Sequence, residues 1–280
     1  MSKEDEILRQ APFRNVLRIN DVKDIECLKN DVSISGEAFK IRSAEGKFYK
    51  LRHCRWLRDA WRIQGNVKKL KHIFPRFYGR EGKYLLFEWL DAPDLKKLKE
   101  KGGLDEEHFK ELGRLCGEVH EFDEKGDSKK VRQFFDWCIN GLLKEGIIDK
   151  ELHSRLTAIY EEKSKKFKKE VVLELYDLNL ANLAVNPRTG KMVLIDEEGI
   201  KHKIKGFGMM NQFVTHFSKE QKEAFMEGYE SVHSAAYLDD SYKDFLAFYT
   251  ITRDVWIKAN TGRPYQKLLD RLIEYLKKNG

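Results

Sequence analysis

The sequence contains few cysteines, and none of them is spaced as a metal site or a disulfide framework. The four cysteines, Cys27, Cys54, Cys116 and Cys138, are widely separated along the 280 residues, and no two form a Cys-x-x-Cys pair. Close pairs of that kind are the usual sequence sign of zinc ligation or of a disulfide-bonded scaffold. Their absence argues against both and predicts a protein of a reducing compartment.

Long apolar runs are also missing. The longest uninterrupted ones, such as YLLF at 84–87, are far shorter than the roughly 20 residues that a transmembrane helix needs. The charged opening MSKEDEILRQ lacks the apolar core of a secretory signal, and no internal repeat or low-complexity segment is visible. We therefore expect no transmembrane segment and a cytoplasmic location.

What the chain does have is an uneven positive charge. Its formal net charge is +7, and the segment Lys40–Lys83 holds 14 Lys and Arg residues against three acids, Glu45, Asp59 and Glu81. Such a segment is either a solvated, lysine-rich surface or a surface for phosphates, an anionic substrate or nucleic acid. Composition alone does not separate these readings.

The N-terminal third is predicted to be rich in β-structure. Residues 22–54 contain alternating apolar positions, with turn signals at Ser35-Gly36 and Glu45-Gly46, which is typical of short strands. Residues 56–73 carry apolar side chains at spacings of three and four and predict one helix. Residues 74–90 then predict two strands around a turn at Arg80–Lys83.

The rest of the chain predicts mainly helices. Asp105 is expected to cap a helix over the segment EEHFKELGRLCGEVHEF. Further amphipathic segments are at 129–144, 148–168, 218–232, 241–258 and 264–277, and a β-rich insert is at 171–196. This pattern predicts an α+β fold in which a small β-rich part joins a larger helical part near residues 88–94.

The insert places polar residues among buried strands. VVLELY, LAVN and KMVLID are apolar enough to be strands, and the last two are joined by the turn-forming PRTG near Arg188. An antiparallel hairpin would bring Asn182 and Asp196 to its open end, and Asp177 would reach the same place through a short loop. Carboxylate and amide oxygens gathered in this way suit Mg²⁺ together with substrate phosphates. Each residue alone could equally be a turn or cap residue.

The order and spacing of these three residues match the catalytic apparatus of kinases. Asp177 and Asn182 form a D-x-x-x-x-N pattern, and Asp196 closes an apolar strand fourteen residues later. In kinases the first Asp orients or deprotonates the acceptor hydroxyl, while the Asn and the second Asp hold metal ions.

Other segments carry a family resemblance. LIDEEG at 194–199 ends a strand in an acid followed by further acids, the helix FKELGRLCGEVHEF ends near Val119-His120, and AFMEGYESV at 224–232 has an aromatic-x-x-Gly-Tyr form. On these motifs the chain resembles the protein-kinase-like fold, specifically the branch of aminoglycoside phosphotransferases and choline kinases, from about residue 25 to 275. The resemblance implies a bilobal fold, with an N-lobe at 1–88 and a helical C-lobe at 89–280.

The resemblance also implies a nucleotide site in the N-lobe. The segment YLLFEWLDAPDL resembles the interlobe segment, which implies adenine hydrogen bonds from the backbone at Glu88 and Leu90, with Asp94 near the ribose. Ser33–Glu37 would be the turn that covers the phosphates, where Gly36 allows close backbone approach.

A cation on the third strand should contact the phosphates. Alternation puts Lys50 and Arg52 on one face of that strand, and Arg52 occupies the position of the usual kinase Lys. Arg can bind phosphate oxygens with two nitrogens but is not equivalent to Lys, so either residue is a candidate. Asp59 on the next helix resembles the carboxylate that pairs with this cation, although it is one methylene shorter than Glu.

The catalytic loop departs from the pattern of the family. Leu175 and Tyr176 stand where a His and its neighbour usually precede the catalytic Asp, and Asn179 stands where a Lys or His is usual. Loss of that basic group could slow phosphoryl transfer, or the acceptor could compensate for it. We keep Asp177 and Asn179 as the candidate catalytic residues.

The resemblance therefore implies an ATP- and Mg²⁺-dependent phosphotransferase that acts on a hydroxyl of a small molecule, with a sugar or sugar-like alcohol favoured. The basic first lobe would suit an anionic acceptor, and it leaves nucleic acid open as a partner. Two alternatives are an atypical protein kinase and a nucleotide-binding pseudokinase or basic scaffold without catalysis.

Overall fold

The computed structural model describes Phe13 and residues 25–28, 36–43, 46–122, 125–166 and 171–279. In chain order its elements are β1 (Ile25–Leu28), β2 (Gly36–Arg42), β3 (Phe48–Cys54), α1 (Leu57–Lys69), β4 (Phe77–Glu81), β5 (Tyr84–Glu88), α2 (Leu95–Glu100), α3 (Glu106–Glu121), α4 (Lys129–Lys144), α5 (Lys150–Lys166), β6 (Val171–Leu175), β7 (Leu183–Val185), β8 (Met192–Leu194), β9 (Ile200–Ile204), α6 (Phe207–Thr215), α7 (Lys219–Glu230), α8 (Asp240–Asn260) and α9 (Gln266–Asn279). Within these ranges no helix combines the length and apolar character needed to cross a bilayer.

The chain forms two compact units. The first contains the residues up to Leu104 together with Leu180–Glu198, and the second contains Asp105–Asn179 together with the residues from Gly199 onwards. This division differs from the boundary predicted after residue 88, because residues 89–104 and the β7–β8 hairpin pack with the N-terminal strands. Asp94, for example, forms an isolated β-bridge with Ala184 of the hairpin.

The first unit is built on a five-stranded antiparallel sheet with the order β1-β2-β3-β5-β4. One face of this sheet carries a small hydrophobic core of Phe39, Ile41, Leu51, Tyr84 and Leu86, against which Phe13 packs. Because side chains alternate along a strand, Lys50 and Arg52 of β3 point away from Leu51 to the other face. The sheet thus fixes two cations on the face opposite its core.

The helix of the first unit and its turn at Arg80–Lys83 lie where the sequence predicts them, whereas Ser35 and Glu45 of the other two predicted turns lie outside the described residues. α1 buries Ala60, Ile63 and Val67 at helical spacing, and a 3-10 turn follows at Lys71–Ile73. Gly82 joins β4 to β5 with a φ of 55°, a left-handed conformation that favours glycine. The predicted β7–β8 hairpin is also confirmed, with Leu183 opposite Leu194.

The second unit is mainly helical around a two-stranded antiparallel pair, β6 and β9, in which Val171 lies opposite Ile204 and Leu175 opposite Ile200. All five residues of β6 are buried. The predicted cap of α3 is confirmed: the side chain of Asp105 accepts a hydrogen bond from the His108 N–H. The sequence did not predict β9, α2 or α6.

Close packing of α3 against α7 requires glycine. A Cβ added at Gly113 would lie 1.8 Å from the Phe225 carbonyl oxygen, and one added at Gly228 would lie 1.8 Å from the Lys110 carbonyl oxygen. Each glycine therefore lets one helix backbone touch the other, and a side chain at either position would force the two helices apart.

Candidate functional site

A cavity of about 470 Å³ in the first unit gathers seven of the residues that the sequence singled out. They are Lys50, Arg52, Glu88, Leu90, Asp94, Asn182 and Asp196. The sheet supplies Lys50, Arg52 and Glu88. The segment after β5 supplies Leu90 and Asp94, and the ends of the hairpin supply Asn182 and Asp196. The volume is in the usual range for small-molecule pockets.

Lys50 reaches from β3 to the hairpin. Its Nζ donates to both carboxylate oxygens of Glu197, at 2.9 and 3.0 Å, and to the Ile195 carbonyl oxygen at 2.5 Å. The Glu197 side chain is fully buried, whereas that of Lys50 keeps 16% of its surface exposed. A buried carboxylate requires such a cation, and the pair therefore ties the sheet to the chain that follows Asp196.

Arg52 is the more buried of the two cations, with 4% of its side chain exposed. Its Nη2 donates to the Glu198 carboxylate. Burial by itself would lower the pKa of Arg52, but the carboxylates of Glu198, Glu197 and Asp196 outweigh burial and raise the pKa, so the guanidinium stays charged.

The structure gives Arg52 the partner Glu198, and pairing of Asp59 with Arg52 stays a prediction. Asp59 pairs with Arg62, three residues further along the same helix, at 3.6 Å. The shorter Asp side chain is satisfied within α1, while Glu198 brings a longer carboxylate to the cation from the hairpin side. Glu197 and Glu198, the two acids after Asp196, were not predicted as functional residues. Their position directly after a buried strand in the sequence was the feature that could have identified them.

The segment after β5 supplies backbone groups and one acid. The Glu88 N–H donates to the Arg76 carbonyl oxygen at 2.8 Å, so only the carbonyl of Glu88 is left to contribute to a ligand. Its side chain pairs with Arg188 of the hairpin turn. Asp94 caps α2, since its Oδ1 accepts from the Lys97 N–H at 2.8 Å.

Asn182 and Asp196 lie at the open end of the hairpin, as predicted. The Ile195 N–H donates to the Asn182 carbonyl oxygen at 2.8 Å, which extends the β7–β8 pairing by one bond. Asp196 Oδ1 accepts from the Glu198 N–H at 3.3 Å. An amide and a carboxylate on one cavity wall are hard oxygen donors of the kind that Mg²⁺ prefers. In the described part of the chain, no three His, Cys, Asp or Glu side chains cluster closely enough to hold a metal by themselves.

Gly36 does not line the cavity. It begins β2 opposite Cys54, and a Cβ there would lie 2.0 Å from the His53 carbonyl oxygen, so close strand packing already requires glycine. Residues 33–35 of the predicted phosphate-covering turn lie outside the described residues. A phosphate contact by Gly36 stays a prediction.

Asp177 and Asn179 belong to the second unit, at the end of buried strand β6. The Tyr176 N–H donates to the Gly199 carbonyl oxygen at 2.9 Å, and the Asn179 N–H donates to the Asp177 carbonyl oxygen at 2.8 Å. These bonds hold the start of the predicted catalytic-loop segment. The convergence of Asp177 with Asn182 and Asp196 stays a prediction.

A buried polar network lies behind this loop. His120 bonds Glu174 through Nε2 at 2.6 Å and the Tyr229 hydroxyl through Nδ1 at 2.7 Å. Glu174, which is 1% exposed, also accepts from the backbone N–H groups of Gly206 and Gly208 at the start of α6. The network ties β6, α3 and α6 together, and Glu174 inside LELYD was missed because a lone acid in an apolar strand carries no spacing signal.

Basic side chains surround the residue that precedes Asp177. Lys201 Nζ donates to the Tyr176 hydroxyl at 3.0 Å, and Lys203 Nζ lies 5.7 Å from the Tyr176 ring centre. Burial, then Arg253, then Lys201 lower the pKa of Lys203 to about 8. Lys203 also lines a cavity of about 290 Å³ with Phe134 and Tyr249.

Known proteins resemble this chain in three-dimensional structure, whereas the comparisons with family models and curated proteins find no match. Solved structures do match. The choline kinase LicA from Streptococcus pneumoniae is 12% identical with a TM-score of 0.68, covering 99% of this chain and all of that one. An ethanolamine kinase from Plasmodium vivax is 14% identical with a TM-score of 0.59, covering 94% of this chain and 83% of that one.

A third match is the amicoumacin kinase hAmiN in complex with AMP-PNP, Ca²⁺ and Ami, at 11% identity and a TM-score of 0.63, covering 99% of this chain and 93% of that one. At such identities the likeness shows the fold. The chain has the bilobal protein-kinase-like fold that its motifs predict, with a small sheet-based part and a larger helical part.

Proposed function

We propose that this chain, which has the protein-kinase-like fold, is an ATP- and Mg²⁺-dependent phosphotransferase that acts on a hydroxyl of a small molecule. One observation carries the proposal: a single cavity is lined by two β3 cations, the segment 88–94, Asn182 and Asp196. Phosphoryl transfer depends mainly on positioning and charge neutralisation, and these are the groups that it requires.

ATP is proposed to bind in this cavity. Its adenine would contact the backbone at Glu88 and Leu90, its ribose would be near Asp94, and its phosphates would approach Lys50 and Arg52. The structural neighbour hAmiN, solved with AMP-PNP, supports a nucleotide as the ligand.

Asn182 and Asp196 are proposed to hold Mg²⁺. Their amide and carboxylate oxygens line one wall and fit a cation that takes one or two protein ligands and completes its shell with phosphates and water. When bound, the ion would neutralise charge on the phosphate oxygens. The Ca²⁺ in the hAmiN complex supports a divalent cation.

Asp177 is proposed to orient the acceptor hydroxyl and to accept its proton, with Asn179 beside it as a neutral hydrogen-bonding residue. The backbone bonds of Tyr176 and Asn179 hold this segment at the end of a buried strand. No basic residue occupies position 179, so the charge of the transferring group must be balanced by other cations.

The acceptor is proposed to be a sugar-like alcohol that carries an anionic group. Lys201 and Lys203 approach the Tyr176 ring, and burial first, then nearby Arg253 and Lys201, lower the pKa of Lys203 to about 8. An anion near Lys201 and Lys203 would favour their charged forms against burial and against the neighbouring cations. Neighbours named for an acceptor include kinases of choline, ethanolamine and amicoumacin and phosphotransferases of aminoglycosides and macrolides, and none of these names gives an anionic acceptor.

The proposal is tested by ATP consumption with Mg²⁺ across sugar phosphates, neutral sugars, amino alcohols and a protein mixture. We expect turnover with a small hydroxyl compound, and Asp177→Asn should abolish it while nucleotide binding persists. Turnover on proteins alone would favour the atypical protein kinase. Undiminished transfer by Asp177→Asn would show the assignment to be wrong.

A second candidate is a nucleotide-binding protein without catalysis. The pairing of Lys50 with Glu197 and of Arg52 with Glu198 favours it, because both cations are already neutralised by protein carboxylates. Stabilisation by ATP and Mg²⁺ with no turnover on any acceptor would support this candidate over the enzyme.

A further inference from the structure

The outer face of α1 exposes large apolar side chains. α1 buries Ala60, Ile63 and Val67 on one side, whereas Leu57 is 45% exposed and Trp61 is 57% exposed on the other. Leu57 and Trp61 are four residues apart and therefore lie on the same face. Trp56, directly before the helix, is 50% exposed.

Three such side chains together are unusual on a protein surface. Tryptophan is among the most buried residues on average, and a contiguous exposed apolar group marks an interaction site more often than chance exposure does. The exposed tryptophan of the second unit, Trp137, differs because its ring packs edge-on against Trp256 at 5.3 Å.

Arginine side chains frame the same face. The guanidinium groups of Arg55 and Arg58 lie 5.4 and 5.9 Å from the Trp56 ring centre, and that of Arg80 lies 3.7 Å from the Trp61 ring centre. Arg80 is fixed there, because its Nε donates to Gln64 Oε1 at 2.8 Å and its Nη1 donates to the Gly82 carbonyl oxygen at 2.7 Å. Arg55, Trp56, Leu57, Arg58, Trp61 and Arg80 are called the tryptophan–arginine surface below.

The charge of this surface is not balanced locally. Among the described residues, Arg55, Arg58 and Arg80 have no carboxylate partner in an ion pair. From Arg55 to Lys71 the chain has six Lys and Arg residues and one acid, Asp59, which pairs with Arg62. The surface therefore presents unpaired positive charge directly around exposed apolar rings.

This combination fits an anionic lipid bilayer. Tryptophan prefers the headgroup level of a membrane, where its apolar ring and polar N–H are both accommodated. An exposed Leu57 gains from insertion among acyl chains, and unpaired guanidinium groups gain from lipid phosphates. Single-stranded nucleic acid is disfavoured, because bases stack on open ring faces and Arg80 already covers one face of Trp61.

We propose that the tryptophan–arginine surface binds the surface of an anionic membrane and holds the first unit against it. Binding requires both parts: arginine brings the protein to the negative surface, and Trp56, Leu57 and Trp61 insert at the interface. Because these side chains do not line the nucleotide cavity, membrane binding is separate from phosphoryl transfer.

The test is co-sedimentation of the full chain with vesicles of phosphatidylcholine containing one quarter phosphatidylglycerol, and with pure phosphatidylcholine vesicles, at physiological salt. The intact chain should bind the anionic vesicles, with a blue shift of tryptophan emission. Arg55→Gln with Arg58→Gln should weaken binding by on the order of tenfold or more, since each basic residue near such a surface contributes about a factor of five. Leu57→Gln should weaken it without changing the charge.

Two matched controls distinguish binding by the tryptophan–arginine surface from nonspecific binding by other parts of the chain. Trp137→Ala removes an exposed tryptophan of similar exposure from the second unit, and Lys144→Gln with Lys267→Gln removes the same charge from exposed helix positions. Both controls should bind like the intact chain. Equal binding to neutral and anionic vesicles, no binding to either, or equal loss in the controls would overturn the proposal. Binding of a single-stranded RNA through the same arginines, without vesicle binding, would overturn it in favour of nucleic acid.

Discussion

At the scale of single residues, the electrostatics of the cavity depend on two carboxylates that directly follow Asp196. Glu197 and Glu198 pair with Lys50 and Arg52 and are almost fully buried. A nucleotide phosphate that approaches these cations would either bind them alongside the two carboxylates or displace one carboxylate. The cations are thus held in position before any ligand binds.

Removing Glu198 should therefore cost stability. Glu198→Ala leaves the 4% exposed guanidinium of Arg52 without its nearest carboxylate, and loss of one partner from a buried ion pair costs about 3–5 kcal/mol. Urea unfolding followed by circular dichroism measures the change. Asp59→Ala is the control, since its pair with Arg62 is partly exposed and should contribute about 1 kcal/mol or less. Equal losses in the two variants would contradict the assignment of Glu198 as the partner of Arg52.

Lys203 should make stability depend on pH. Its pKa falls from 10.5 to about 8 in the folded chain, chiefly through burial, so the unfolded chain binds more protons between these pH values. The free energy of unfolding should therefore rise as pH increases from about 8 to 10.5, and the benefit is lost as pH falls through 8. Other groups titrate there too, so the measurement is the difference between the intact chain and Lys203→Met.

Below pH 8 the Lys203→Met variant should be the more stable of the two, because it no longer buries a charge. The difference should shrink toward pH 10. Lys201→Met is the control. If the free energy of unfolding of Lys203→Met differed from that of the intact chain by the same amount across this pH range, the Lys203 ammonium group would not be the cause of the pH dependence.

At the scale of elements, local signals predicted most of the structure. The cap at Asp105, the helix periodicity of 129–144 and the PRTG turn each lie within a few residues of the element that they define, and all three elements are found. β9 was missed because IKHKI owes its place to pairing with β6, about 30 residues earlier. Glu198 was not predicted as the partner of Arg52 for the same reason: 146 residues separate the two, and local sequence signals do not report such a contact.

The contact between α3 and α7 gives a prediction about glycine. Gly228→Ala places a methyl group 1.8 Å from the Lys110 carbonyl oxygen, and relief of that overlap should cost about 1–3 kcal/mol even after the helix propensity of alanine is counted. Gly65→Ala in α1 is the matched control, because its added Cβ meets no atom within 4 Å and should stabilise the helix by about 0.5–1 kcal/mol. Urea midpoints that move in the same direction for both variants would argue against close backbone packing.

At the scale of the whole molecule, the division into units explains why the predicted boundary differs. The chain leaves the first unit after Leu104 and returns to it for Leu180–Glu198, so no single cut in the sequence separates the two. Composition changes near residues 88–94, but composition does not reveal that a hairpin more than 80 residues later completes the cavity. The sequence predicted seven residues of that cavity wall because they occur in the same order along the chain as in kinase-like motifs. Their distances from one another in three dimensions could not be read from the sequence.

This division predicts where a ligand should act. If ATP and Mg²⁺ bind as proposed, hydrogen exchange should slow in the first unit at residues 50–52, 88–94, 181–184 and 195–196, which line the cavity or adjoin its lining. Asp196→Asn should remove the part of this protection that depends on Mg²⁺ and leave the part that ATP confers alone, because the backbone of segment 88–94 and the cations of β3 are unchanged. Protection confined to the second unit, around residues 126–134 and 202–207, would instead place the nucleotide at the smaller cavity beside Lys203 and would contradict the proposed site.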